Sequence, residues 1–361
     1  MYKIKQSPED FIVDEVYEIP KYSPTYNENN PYAYYVMTKR NFNTVSAIME
    51  ISSKLKIPFK SIRFCGNKDK QALTTQLISI KSSKRYDHKL EKEMSFGGEF
   101  SYIKLDKIGY FHDNVYLGFH KGNEFTITIR ELSEHDIEAF IDRTKELKKN
   151  KFQIVNVFGE QRFSTNNSQI GKLLIQKEYR KALDLIIKQD KEFGKRIENK
   201  LEQANDHIAA LRILPIKILT LYVNAYQSFL WNQVAKYAHE RINFKFNYEL
   251  PIFGFDSDID KLKQQYEQEL EDADSNTKKK KFSILIDIID YYLSLLKKED
   301  VSYRDFVFKQ IPQISASGWI RSLYMKIDDF KIKERETNFV VISFKLPKSS
   351  YATTVITELF D

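Results

Sequence analysis

The sequence predicts an α+β fold: a mixed, mainly antiparallel sheet built from both chain ends, carrying a mostly helical insertion. Three observations predict it. Up to about Arg130 the chain reads as short β-branched and aromatic runs. From there to about residue 320 apolar residues recur at helical three- and four-residue spacings, and strands return from Phe330. The last strands need partners, and the opening region supplies them.

Taken in order, residues 11–17 and 33–38 read as strands, and Asn43-Thr44 caps a helix whose apolar stripe is Val45, Ile48, Ile51 and Leu55. Residues 57–64 and 73–80 read as strands joined through Gly66-Asn67. Residues 101–105, 115–119 and 125–129 follow as strands, with Gly97-Gly98 and Gly122-Asn123 as turns. Helical spacing then covers 137–147, 168–176, 179–187, 191–201, 216–237 and 282–296. The charged stretch 256–281 reads as a solvated helix ending in a basic loop at Lys278–Lys281, either a phosphate contact or an ordinary solvated run. Residues 339–346 form a strand before a short C-terminal helix. The expected domains are 1–153 with 320–361, and 154–319 between them.

Composition bounds the function. The 361 residues are 42% hydrophobic and 14% aromatic, enough for ring-rich cores and too many for one small domain. A net charge of +7 suits a polyanionic partner without demanding one. The single cysteine, Cys65, rules out an internal disulfide, and the start of the chain has no charged and apolar leader pattern, so the expected compartment is the cytoplasm. No apolar run reaches the roughly 20 residues of a membrane span. Six scattered histidines show no zinc-ligand spacing, and there is no phosphate-cradling glycine motif, so neither metal nor nucleotide cofactor is expected.

One stretch suggests chemistry. In Gly66-Asn67-Lys68-Asp69-Lys70-Gln71-Ala72-Leu73-Thr74-Thr75-Gln76 a single carboxylate lies between two lysines, at a connection between two strands. Flanking cations favour its charged form once a turn brings them to its face. An ordinary solvated loop has the same Lys-Asp-Lys pattern, but the small, hydroxyl-rich segment that follows does not.

This motif resembles the signature of the TruD family of tRNA pseudouridine synthases, and further stretches agree in order along nearly the whole chain. These are residues 8–15 (Pro-Glu-Asp-Phe-Ile-Val-Asp-Glu), 117–125 (ending Gly122-Asn123-Glu124-Phe125), 156–163, 225–232 and 346–353. The resemblance implies a cofactor-independent isomerase that converts a flipped-out uridine, uridine 13 in the D arm of certain tRNAs, to pseudouridine. Its catalytic aspartate would be Asp69, attacking C1′ or removing the C2′ proton. It implies that Phe11 and Tyr351 line the base pocket, Asn123 hydrogen-bonds the substrate and Phe125 packs beside it; without it, the rings read as core and Asn123 as a turn residue. It gives Lys5 the task of orienting the Asp69 carboxylate, and Lys68 and Gln76 that of bracing the loop or positioning RNA. His120 reads as surface or structural. The expected partner is tRNA, with no membrane and no metal, and the protein a monomer.

The chain departs from the family pattern at Ser164, where glycine is usual after Gln-Arg-Phe, and at Lys348-Ser349-Ser350, which replaces a Gly-Ser before the aromatic residue. Two other readings compete. One is a non-catalytic RNA-binding or RNA-folding protein using the same cleft. The other is a metal-dependent nuclease with Asp69 as ligand, weakened by the lack of a second acid nearby in sequence.

Overall fold

The computed structural model describes residues 2–159, 162–163, 166–204, 206–244, 246–348 and 350–360, so Ser164 and Ser349 lie outside the described residues. The chain divides into two compact units, Met1–Ile154 with Lys326–Asp361, and Val155–Met325.

The first unit begins with β1 (Phe11–Val16), β2 (Tyr32–Arg40), α1 (Thr44–Leu55), β3 (Ile62–Phe64), β4 (Leu73–Lys81), β5 (Glu93–Gly97), β6 (Tyr102–Phe111), β7 (Gly122–Arg130) and α2 (Glu134–Lys149). After β8 (Gln153–Val155) the chain enters the second unit. This contains α3 (Asn167–Ile175), α4 (Tyr179–Gln189), α5 (Lys191–Ala204), α6 (His207–Leu211), α7 (Ile216–Ile242), β9 (Glu249–Ile252), α8 (Ile259–Glu271), α9 (Asn276–Glu299) and β10 (Trp319–Ser322). Past β11 (Tyr324–Lys326), the first unit resumes with β12 (Asp328–Arg335), β13 (Phe339–Pro347) and α10 (Ala352–Phe360).

Nine strands form one sheet in the order β12-β13-β7-β1-β4-β2-β6-β5, with β3 on β4. Every pair is antiparallel except β1 with β4, which run parallel with Ile12 opposite Leu73 and Asp14 opposite Thr75. The fold is thus the mixed, mainly antiparallel α+β architecture the sequence predicts. α1 starts where Asn43 accepts from the Ser46 amide at 2.7 Å. Its buried face is Thr44, Ala47, Ile48 and Ile51, one step round from the expected stripe, against a core including Tyr35, Met37, Ile78 and Leu105. The segment before β1 is tied to the end of β7 by paired backbone hydrogen bonds between Lys3 and Arg130 and by the Asp10–Arg130 ion pair at 2.7 Å.

Three local expectations are corrected. Residues 115–119 are not a strand: Val115 is buried, but Tyr116 and Leu117 face outward and Gly118 takes φ +86°. Gly122-Asn123 is no turn but the start of β7, where Gly122 lies between Val16 and Pro347. Lys278–Lys281 lie in the first turn of α9, because Ser275 caps that helix by accepting from the Lys278 amide.

In the second unit α7 is buried on most sides, and Gly171 of α3 lets the two helices close until the Tyr222 carbonyl fills the space a side chain would need. Two of the stretches that carry the family resemblance brace each other here. Asn232 pairs through its side-chain amide with both backbone groups of Phe158, at 2.8 and 2.9 Å, and Trp231 Nε1 donates to the Asn156 carbonyl at 3.0 Å.

A Cβ at Gly122 would meet the Leu346 carbonyl. Gly122→Ala is therefore expected to lower stability by about 1–3 kcal/mol, read as a lower midpoint in thermal or urea unfolding; an unchanged midpoint would contradict this close strand approach.

Candidate active site

Between β3 and β4 the connection runs back along β1, from its C-terminal end towards its N-terminal end. Cys65 O accepts from the Gly118 amide at 2.8 Å, and a side chain at Gly66 would crowd His120 and Glu15. Further along, the Lys68 amide donates to Thr44 Oγ1 at 2.8 Å, and Gln71 Nε2 donates to the Lys5 carbonyl at 2.6 Å. Gln76, fully buried on β4, ties the loop from below: its Nε2 donates to Gly66 O at 2.9 Å and its Oε1 accepts from Thr44 Oγ1 at 3.0 Å. A loop with this many anchors presents its side chains in fixed directions.

Asp69 stands on that loop with its side chain 54% exposed, while Lys5, whose side chain is 14% exposed, donates from Nζ to Asp69 Oδ2 at 2.6 Å. Lys5 takes the left-handed φ of +61°, sparsely populated for a residue with a side chain, and the Gln71 contact to its carbonyl helps hold it there. The same ammonium lies 4.1 Å from the centroid of the Phe11 ring. Among the described residues nothing else donates to the carboxylate, so Oδ1 faces outward without a partner.

A second cation holds the loop's backbone. Lys39 of β2 is 0% exposed, and its Nζ donates to the carbonyls of Phe42 at 2.6 Å, Asp69 at 2.8 Å and Lys68 at 3.5 Å. Burial pushes its pKa down to about 8, opposed by the nearby Asp69 and reinforced by Lys68. Three carbonyls satisfy three donors, so the carbonyl of the exposed aspartate is fixed from inside the protein.

Lys68 does not turn to its neighbour Asp69. Its Nζ donates to Glu15 Oε1 at 2.7 Å and to Asn123 Oδ1 at 2.8 Å, with the Glu15 side chain 0% and the Lys68 side chain 7% exposed. Glu15 Oε2 accepts from the Leu77 amide at 3.0 Å, taking over where the β1–β4 ladder ends. Because an ammonium only donates, the Asn123 atom facing it is the carbonyl oxygen, and the amide hydrogens are left to point elsewhere. His120 borders this pair but is buried rather than on the surface. Burial pushes its pKa down, and its Nδ1 has no partner among the described residues.

The structure thus brings Asp69, Lys5, Phe11, Lys68, Asn123 and Gln76 into one connected set. Phe11 and Phe125 are buried and meet edge to face at 6.2 Å, with Phe125 stacked on Phe344 at 5.5 Å. Tyr351 stands at the foot of α10, five residues past Leu346, which pairs with Asn123 across β13 and β7. Lys39 and Glu15 were missed in the sequence, though both leave a trace: each is a charged residue on the buried phase of an alternating strand, after Tyr35 and Met37 and after Phe11 and Val13.

Comparison with known proteins places this assembly. The family model described as tRNA pseudouridine synthase D (TruD) matches residues 2–200 and 190–359. A tRNA pseudouridine synthase D of Aquifex aeolicus is 28% identical, with 99% of this chain and 98% of the relative covered. A relative of the same family name from Methanocaldococcus jannaschii is also 28% identical, over 99% and 91% of the two chains. A TruD crystal structure from Methanosarcina mazei superposes with a TM-score of 0.66 at 23% identity, covering 99% of this chain and 93% of that one, and shares the fold. The protein is accordingly an enzyme of the pseudouridine synthase class, an isomerase. Within that class the chain belongs to the tRNA pseudouridine synthase D (TruD) family.

Lys39 offers a test of the loop's anchoring. Its amine releases its proton at about 8 in the folded protein, against about 10.4 in an unfolded chain. Between those values the unfolded state binds more protons, so the cost of burying the charge, complete below the lower value, is relieved as pH rises. Lys39→Met lacks this relief. Its melting temperature is expected to fall further below wild type as pH goes from 8 to 10, and a gap constant in pH would contradict the assignment.

Proposed function

We propose that the protein isomerises a uridine of tRNA to pseudouridine, uridine 13 of the D arm by its family resemblance, with Asp69 as the catalytic carboxylate and no cofactor. The observation that carries this reading is the 2.6 Å contact between Lys5 and one oxygen of a half-exposed aspartate. Lys5 holds Oδ2, which leaves Oδ1 to act on the sugar. That oxygen either attacks C1′, forming an ester as the C1′–N1 bond breaks, or takes the C2′ proton to leave a glycal. On either route the uracil then turns and its C5 bonds to C1′, and C5 loses its proton to restore the ring.

The target base must leave its stack, at a cost of a few kcal/mol. Tyr351 and the edge of Phe11 serve as its apolar walls, with Phe125 supporting Phe11 from behind. Asn123, its carbonyl held by Lys68, meets the base with amide hydrogens. Uracil carbonyls accept such donors, whereas the cytosine amino group does not, so the pair Lys68–Asn123 favours uridine. In this reading the sheet unit 1–153 with 320–361 is catalytic and the helical insertion 154–319 helps hold the RNA.

Incubating unmodified tRNA with the protein in EDTA, then mapping pseudouridine by carbodiimide-blocked reverse transcription, is expected to give one site with wild type and none with Asp69→Asn. Binding without product from either protein would instead indicate an RNA-folding role, and magnesium-restored strand scission a nuclease. Tyr351→Ala is expected to reduce turnover more than tRNA affinity, since most affinity comes from phosphate contacts spread over the surface; equal losses would contradict that division. Lys68→Met leaves Glu15 buried and unpaired, a loss of about 3–5 kcal/mol. Adding Glu15→Gln is expected to return most of the thermal stability while pseudouridine yield stays low, because Asn123 is no longer held; recovery of both would remove Lys68 from substrate reading.

A further inference from the structure

The lysine run Lys278–Lys281 has no part in the site on β1 and β4. It occupies the first turn of α9, where the helix dipole disfavours positive charge and acidic residues would add stability. Among the described residues only Lys278 has a carboxylate partner, Asp274 at 3.0 Å. Lys281 borders a cavity of about 630 Å³, within the range of small-molecule sites, whose walls include Phe246, Tyr248, Tyr266 and Phe282 with Glu249. Phe246 and Tyr248 lie 5.9 Å apart and Tyr266 and Phe282 6.2 Å apart, so two pairs of rings frame the space.

Tyr248 supplies an independent sign of a ligand. It is 4% exposed, and its hydroxyl has no hydrogen-bond partner among the described residues. Burial pushes its pKa up, so it is a neutral donor. A buried hydroxyl in this condition costs roughly 1–3 kcal/mol. The adjacent Asn247 offers no relief, since its amide is committed on both sides to the backbone of Tyr324.

We propose that this cavity of the second unit binds a nucleotide, its base against the aromatic walls and its phosphate on Lys281 with Lys279 and Lys280. The rings supply stacking faces, worth about 1–3 kcal/mol per base. Tyr248 donates to a base acceptor, and Glu249 accepts from a base N–H or a ribose hydroxyl. A bare anion would leave the rings and the hydroxyl unused, and an apolar segment would leave the lysines unused. The nucleotide comes either from a bound RNA or from a free mononucleotide, and the site does not depend on the chemistry of Asp69.

Calorimetric titration of the full chain with AMP, UMP, inorganic phosphate and a single-stranded RNA tetramer tests this. Nucleotides are expected to bind more tightly than phosphate. Tyr248→Phe should weaken them about tenfold with an unchanged or raised melting temperature, because it deletes an unsatisfied group. The triple change Lys279→Ala, Lys280→Ala, Lys281→Ala should weaken them and flatten the salt dependence, and Asp69→Asn should leave them unaltered. A tetramer much tighter than AMP and UMP assigns the site to bound RNA, and equal affinities assign it to free nucleotide; both support the proposal. Phosphate binding as tightly as nucleotide, no binding, or binding indifferent to Tyr248→Phe and the triple change overturns it.

Discussion

The parallel pairing of β1 with β4 is the constraint on which the rest of the site depends. In a parallel pair both strands start at the same end, so the residue six positions before Phe11 and the residue four before Leu73 arrive together. That coincidence puts Lys5 against Asp69 without either belonging to a regular element. Antiparallel neighbours on both sides then lock the pair in place. β7 sets Asn123 opposite Glu15, and β2 sets Lys39 beneath the loop.

Charge is what keeps the loop from relaxing. A hydrophobic Lys39 or an apolar substitute for the Glu15–Lys68 pair would pack the interior at lower desolvation cost, since buried ion pairs are weak sources of stability. Neither would fix a carbonyl or an amide in direction. The two buried ammonium groups hold the loop at different points, Lys39 through backbone oxygens and Lys68 through a side-chain amide, and leave the exposed carboxylate to a third cation. One aspartate is thus flanked by three lysines with separate tasks, and its immediate neighbour in sequence is not the one that meets its carboxylate.

The fold class was legible because the hydrophobic period changes twice along the chain, and no tertiary information is needed to see that. Asp69, Phe11 and Asn123 were legible through resemblance alone; by pattern, two are core or turn residues and the third an ordinary loop acid. Lys39 and Glu15 escaped because a single charged residue on a buried phase looks like an edge or a solvent-facing position until the partner carbonyls are known. Residues 115–119 failed for the opposite reason. Their composition suits a strand, but no neighbouring strand edge is open to receive them, as β4 and β6 each already have partners on both sides. The four lysines of α9 show the limit of charge as a guide, since a strong cap at Ser275 outweighs their unfavourable placement at a helix start.

The placement of β13 carries a consequence for biosynthesis. This strand fills the edge of β7 along its whole length, from Phe339 opposite Arg130 to Pro347 opposite Gly122, yet it is translated only after all of the segment Val155–Met325. During translation β7 therefore waits with one side unpaired, an open template for misassociation, while the helical insertion can condense by itself on its local contacts. The enzyme's pocket wall at Tyr351 arrives later still. A ribosome that stalls after the insertion releases a chain holding every lysine around Asp69 but neither the strand that shields β7 nor the aromatic residue that follows it.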